Sequence, residues 1–452
     1  MVLLLSTYDM GRQPFGLASP AAWLRKAGVE VRCADLSRDR LSDQDVRAAK
    51  LIGVFLPMHT ATRLAIPVID RVRSLNPAAQ LCAYGLYAPL NASLLREHGI
   101  TDILPGEFEQ GLTDLATRTG HGIAPQKDEP AGQVPGGGVP RLEFITPDRG
   151  GLPPLARYAT LQIGSERRVV GYTEASRGCK HLCRHCPIVP VYNGRFRVVP
   201  IPVVVSDIRA QVAAGARHIT FGDPDFFNGI GHAKAIAETF GREFPGVSYD
   251  VTIKIEHLVG HRGALPLLRD TGCALVTSAV ESIDDNVLAR LQKGHTRSDF
   301  EHAVALCRDA GLALAPTFVA FTPWTTIDGY CELLRTIARL DLIEHVSPIQ
   351  LAIRLLVTQG SRLLELEEIR LITTAFDPRS LIYPWRHADP KVDRLQEQLS
   401  SLVGVRLSAP RRDTFAQVWT MAHEAAGQGR QPDLPVVRNR TEVPYLDEPW
   451  YC

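Results

Sequence analysis

The sequence predicts an α/β protein built from two parallel sheets, and three observations carry that prediction. Short apolar runs alternate with amphipathic helical stretches from the start to about residue 120, and again from about 158 to 361. A stretch rich in Pro and Gly separates the two series. Polar and glycine residues gather just after the apolar runs, where parallel sheets bind ligands.

In the first series, residues 2–5 read as a short buried parallel strand, followed by a helix over 21–27. Strands follow at 29–36, 51–56, 80–84 and 100–104, with helices over 42–49 and 64–75 between them. This alternation predicts a doubly wound sheet over 1–120, whose strand ends carry Ser6, Thr7, Met58, His59, Gly85 and Glu107. Residues 121–157 read as a linker, because Pro135-Gly136-Gly137-Gly138 and Gly150-Gly151-Leu152-Pro153-Pro154 cannot sustain a helix or a central strand. In the second series, strands are expected at 169–173, 218–221, 248–255, 274–280, 312–321 and 349–355. Helices are expected over 206–214, 231–240, 265–270, 284–291, 298–310 and 326–340. A run of about six βα units is too short for a closed eight-stranded barrel. It predicts a partial (β/α)6 barrel over 158–361, followed by a mixed extension over 362–452 with helices near 391–402 and 413–426.

Composition sets bounds on function. With 45% hydrophobic and 22% charged residues the chain is an ordinary globular protein, and a net charge of +1 gives no global field for nucleic acid or anionic membrane. No apolar run is long enough to span a membrane, and the first residues do not form a signal peptide, so a cytoplasmic enzyme is expected.

The chemistry centres on Cys179-Lys180-His181-Leu182-Cys183-Arg184-His185-Cys186, which holds three of the nine cysteines at Cys-x3-Cys-x2-Cys spacing. Three thiolates on one loop can hold three irons of a cubane cluster and leave the fourth iron open. The competing reading is a structural zinc loop with His181 or His185 as fourth ligand. Against it, structural zinc sites usually come as two separated ligand pairs, and no second Cys-x2-Cys is present.

The cysteine spacing resembles the signature of the radical S-adenosylmethionine (SAM) superfamily. That resemblance implies a [4Fe-4S] cluster on Cys179, Cys183 and Cys186, SAM chelated at the open iron, and an external flavodoxin- or ferredoxin-type electron donor. Gly222-Asp223-Pro224-Asp225 follows the second barrel strand, where the family's Gly-Gly-Glu motif holds the SAM ammonium. Asp223 or Asp225 can supply the acceptor such a group needs. Glu281-Ser282 follows the fourth strand, where relatives bind ribose hydroxyls, and the run from Leu288 to Thr296 also resembles the family. Thr252, Lys254, Gln350 and Arg354 lie at later strand ends, and Lys254 and Arg354 stand equally for the SAM carboxylate or for structural ion pairs.

The first series resembles the Rossmann-like, B12-binding domain that precedes many radical SAM domains, with Gly106-Glu107-Phe108-Glu109 similar to its Gly-Glu-x-Glu turn. The Asp-x-His-x-x-Gly motif that supplies a cobalt ligand in part of that family is absent, so cobalamin would bind without a His ligand, or the domain holds something else. The terminus Pro444-Tyr445-Leu446-Asp447-Glu448-Pro449-Trp450-Tyr451-Cys452 resembles radical SAM proteins ending in Cys-Cys-Ala-Glu-Pro or Cys-selenocysteine-Ala-Glu-Pro. A selenocysteine codon taken as a stop would end the chain at Cys452. That group includes the arsinothricin-biosynthesis proteins, which implies transfer of the 3-amino-3-carboxypropyl group of SAM to trivalent arsenic, with Cys452 as a candidate catalytic residue. The alternatives are cobalamin-dependent methylation of a small molecule and, from another class, a non-catalytic Fe-S redox sensor.

Overall fold

The computed structural model describes residues 1–120, 142–407, 409–427 and 443–447. The glycine-rich run at 135–138 and Cys452 lie outside the described residues.

The first sheet has five parallel strands, β1 (Val2–Ser6), β2 (Val31–Asp35), β3 (Leu51–Phe55), β4 (Gln80–Tyr84) and β5 (Asp102–Leu104), in the order β2-β1-β3-β4-β5. Alternate residues of β1 enter different cores: Leu3 and Leu5 pack on one face, Val2 and Leu4 on the other. The strand is apolar throughout because both faces are covered. The first helix runs Phe15–Lys26 rather than 21–27, with Pro20 inside it. Pro20 has no N–H for the Gly16 carbonyl one turn back, and the buried Tyr84 hydroxyl donates to that carbonyl instead, at 2.9 Å. A helix that sequence places after Pro20 therefore starts before it, at Phe15, and is pinned to β4.

The second sheet has the order β13-β12-β11-β10-β7-β6-β14. Its parallel strands are β7 (Glu166–Thr173), β10 (His218–Phe221), β11 (Ser248–Thr252), β12 (Cys273–Glu281) and β13 (Leu314–Phe318). Two antiparallel strands, β6 (Thr160–Ile163) and β14 (Tyr445–Leu446), extend the β7 edge. A separate ladder of β8 (Ser176–Gly178) and β9 (Phe196–Val198) closes the base of the cysteine loop. The strand expected at 349–355 is absent. Pro348–Leu351 is a 3-10 turn, and only one bridge, Phe321 to Arg354, continues the sheet. Pro348 has no N–H to give a ladder, and the Gln350 side chain accepts from the Phe318 N–H of β13 at 3.0 Å in place of a neighbouring backbone. In the extension, helices Pro390–Gly404 and Arg411–Ala425 close over the barrel, with Val392, Leu395, Phe415 and Trp419 in its core.

The two sheets meet through Arg177, which lies on β8 two residues before Cys179. Its guanidinium reaches Glu109 at 2.7 Å and Glu107 at 3.3 Å, both just beyond β5, and Glu174 at 2.6 Å. It also lies within 6 Å of the Phe15, Phe108 and Phe144 ring centres. Three carboxylates, two of them buried, face one cation. Burial pushes the Glu107 carboxyl up to about 7 against the pull of Arg177, with Glu109 and Glu174 adding to the rise. A second tie is Arg149, which forks onto Asp207 at 2.9 Å and also bonds Gln13 of the first series. Among the described residues no helix is long and apolar enough to cross a membrane.

Arg177→Met strips the counter-charge from two buried acids and a half-buried one, so it is expected to cost about 3–5 kcal/mol, read from the shift of the denaturation midpoint. For Glu107, the folded value lies above the ordinary 4.5 of a free carboxyl. Its contribution is therefore fully present below pH 4.5 and lost as pH rises through 7. Stability measured across that window should fall in the native chain and stay flatter in Glu107→Gln.

Candidate functional site

The cysteine loop lies across the carboxyl ends of the barrel strands, and each nearby strand end holds it by a different side chain. At the end of β10, Asp223 is buried, and its two oxygens accept from the Ala175 N–H at 2.9 Å and the Ser176 hydroxyl at 2.5 Å. Burial pushes this carboxyl up to about 7 despite those two bonds. Asn228, four residues after the aspartyl-prolyl turn, accepts from Lys180: its carbonyl takes Nζ at 3.2 Å and its side-chain oxygen takes the N–H at 3.4 Å. At the end of β12, Glu281 Oε1 lies 3.1 Å from His185 Nε2 and 3.3 Å from Lys293 Nζ. Burial opposes its charge, but Lys293 and His185 together hold the carboxyl down to about 2. Glu281 also takes a left-handed backbone, φ 69°, where the β12–β13 register slips. Such strain in a non-glycine residue persists where surroundings enforce it, and it concentrates at functional sites.

Cys179 and Cys183 are buried and Cys186 is half-buried. Burial raises the Cys179 thiol above its ordinary range and Cys186 to about 12, and each feels the charge of its neighbours in the loop. Three thiols on one short loop, two of them buried, suit a shared metal centre, which would release their protons on binding. Gly178, with φ 74°, starts the loop where a Cβ would overlap the Tyr192 ring.

Two cavities flank the loop. One, of about 390 Å3, fills the barrel interior and is lined by Gly222, Asp223, Thr252, Gln350, Arg411 and Tyr445 among others. The second, of about 240 Å3, lies at the joint between the sheets beside Met58, Gly85, Gly106 and Arg177. Arg12, Ile188, Gly222 and Pro224 line both. Gly222 has no room for a side chain, because a Cβ would overlap the Tyr172 hydroxyl.

The expected site residues thus divide. Gly222 and Asp223 face the cavity, as do Thr252 and Gln350. Asp225 turns to His257 and His181, at 2.6 and 3.5 Å. Ser282 caps the next turn by accepting from the Asp284 N–H at 3.1 Å. Lys254 pairs with Glu256 at 3.3 Å, and Arg354 pairs with Asp393 at 2.7 Å and stacks on Trp385, so both make structural ion pairs. His59 bonds the Ser380 carbonyl at 2.7 Å and does not line the joint cavity. Sequence reasoning missed Arg177, His257 and the anchoring role of Lys293. Their partners are remote in sequence, so no local pattern marks them.

Glu281→Gln should cost about 3–5 kcal/mol by leaving Lys293 buried and uncompensated. The double variant Glu281→Gln with Lys293→Met should regain much of that loss in the same denaturation measurement, because the two charges act as a unit.

Residues 173–325 match the family model described as the Radical SAM superfamily. The chain is 27% identical over 210 residues to the tRNA-2-methylthio-N(6)-dimethylallyladenosine synthase of Chlorobium luteolum, covering 41% of this chain and 44% of that one. It is 24% identical over 324 residues to the hopanoid C-3 methylase of Methylococcus capsulatus, covering 69% and 62%. It therefore spans less than two thirds of these curated relatives. In fold it is similar to the cobalamin-dependent SAM radical enzyme OxsB, solved with aqua-cobalamin and SAM (TM-score 0.73, 14% identity, 94% of this chain and 71% of that one). It is also similar to the radical SAM methyltransferase TsrM of Kitasatospora setae, solved with cobalamin and a [4Fe-4S] cluster (TM-score 0.65, 16% identity, 97% and 91%). The three-cysteine loop at the barrel mouth thus lies within the segment, residues 173–325, that matches the Radical SAM superfamily model.

Proposed function

We propose that the chain transfers a SAM-derived group to a small molecule held in the barrel cavity. The observation that carries this reading is the meeting of the two cavities at Arg12, Ile188, Gly222 and Pro224, beside the cysteine loop. In this reading Cys179, Cys183 and Cys186 hold a [4Fe-4S] cluster, which supplies the electron that cleaves SAM. Gly222 and Asp223 line the space where SAM would lie, and Glu281 fixes the loop through His185. An external low-potential donor of the flavodoxin or ferredoxin type reduces the protein.

The joint cavity favours methyl transfer with a corrinoid as carrier. It sits beyond the carboxyl ends of β3, β4 and β5, and Gly85 and Gly106 leave its wall bare of side chains at those two points. No imidazole lines it, so a corrinoid there would receive no nitrogen ligand from the described residues. The tail favours the second reading, 3-amino-3-carboxypropyl transfer to a soft acceptor such as trivalent arsenic. Pro444, Tyr445 and Leu446 line the barrel cavity, and Cys452 follows Asp447 by five residues. Thiolates prefer soft centres.

Product analysis separates the readings. Reduced, anaerobically reconstituted protein given SAM should form 5′-deoxyadenosine and S-adenosylhomocysteine if it methylates through a corrinoid, and methylthioadenosine if it transfers the aminocarboxypropyl group. Replacing all three loop cysteines by Ala should abolish the brown chromophore and every one of these products. A chain that binds the cluster and yields none of them behaves as a redox sensor, and the proposal fails.

A further inference from the structure

Beside the cysteine loop, His181, Asp225 and His257 bring two imidazoles and a carboxylate to one point. They come from three separate elements: the loop itself, the turn after β10, and the short helix Ile255–Gly260. One ligand atom from each lies within 4.8 Å of the others. Asp225 is fully buried and His257 nearly so. Asp225 Oδ2 is 2.6 Å from His257 Nδ1 and 3.5 Å from His181 Nε2. None of these three atoms is aligned for a hydrogen bond, and all three are shut off from solvent. The other carboxylate oxygen, Oδ1, caps the following turn through the Phe227 N–H. Leaving one buried polar atom unpaired costs about 1–3 kcal/mol. The carboxylate oxygen is in ion-pair range of both imidazole nitrogens but out of hydrogen-bond alignment, and one cation at their meeting point would satisfy all three atoms.

We propose that His181, Asp225 and His257 bind one divalent transition-metal cation, distinct from the cluster expected on the cysteines. Two imidazoles and one carboxylate suit zinc, cobalt or ferrous iron, whereas magnesium and calcium take oxygen ligands. Bonds of about 2.0–2.1 Å fit the 3.5 Å pair as it stands and require the 2.6 Å pair to open slightly. The surroundings resemble a metal's outer shell. His181 Nδ1 lies 3.7 Å from Glu256 Oε2, which is itself paired with Lys254; a carboxylate on the far nitrogen orients a ligating imidazole. His181 stands between Cys179 and Cys183, so the cation would fasten the loop to the turn after β10 and to the helix after β11.

The test uses the full chain, reconstituted anaerobically with iron and sulfide, then equilibrated with one equivalent of zinc and freed of excess. Metal analysis should give about one zinc per chain beside the cluster iron. Zinc-edge X-ray absorption should show nitrogen and oxygen neighbours without sulfur. Asp225→Asn, which retains the Oδ1 cap, and His257→Gln should each lower bound zinc at least tenfold, with circular dichroism and iron content unchanged. Zinc on nitrogen and oxygen in a chain that takes up no iron would overturn the cluster while supporting this site. Sulfur neighbours, no retained zinc, or equal zinc in both variants would overturn it.

Discussion

One buried guanidinium fixes the relation between the two halves of this molecule. Arg177 sits in the strand that opens the cysteine loop, yet two of its three carboxylate partners belong to the turn beyond β5. The ligand-facing end of the first sheet is thereby held against the ligand-facing end of the second. Opposing strand ends create the joint cavity, and displacing either half would leave charges stranded in a low-dielectric interior. Three acids around one cation also leave negative charge in excess. Burial raises Glu107 and Glu174, the joint takes up protons, and a scaffold contact becomes sensitive to pH near neutrality.

The loop is positioned from below in the same manner. Asp223 binds its first residues, Asn228 binds Lys180, and Glu281 binds His185 near its last cysteine. The β8–β9 ladder closes its base. A loop carrying three thiols would otherwise lose much conformational entropy on ordering. Distributing that cost over several strand ends fixes the loop backbone that carries the thiols. The parallel strands of the sheet, β7 and β10 to β13, make this possible, because each delivers its carboxyl end to the same mouth.

Much of this architecture was legible from local pattern. The apolar run at 218–221 coincides with β10 residue for residue, and strands 51–56 and 80–84 agree within a residue. The cysteine spacing marked the site, and the Gly-Glu-x-Glu turn marked Glu107 and Glu109. What neither pattern could disclose was that those acids answer Arg177, because the pairing spans the two sheets. The expected strand at 349–355 failed for a related reason: a side chain, Gln350, took over a hydrogen bond that a strand backbone would have made. Pro20 misplaced the first helix because its compensating donor, Tyr84, lies on a distant strand. His257 carries no local signal at all; a histidine on a six-residue helix gains meaning only from what faces it.

The close fit of Gly222 under the Tyr172 hydroxyl bears on how such a chain can diversify. Tyr172 lies on β7 and Gly222 just past the end of the adjacent β10, at the floor where both cavities meet. A larger residue at 222 is excluded while the ring stands, and losing the ring first would open a void at the same spot. Lineages can cross that gap only by changing both residues almost together. The floor should therefore drift more slowly than the cavity walls, and relatives with different substrates should differ in their walls before they differ here.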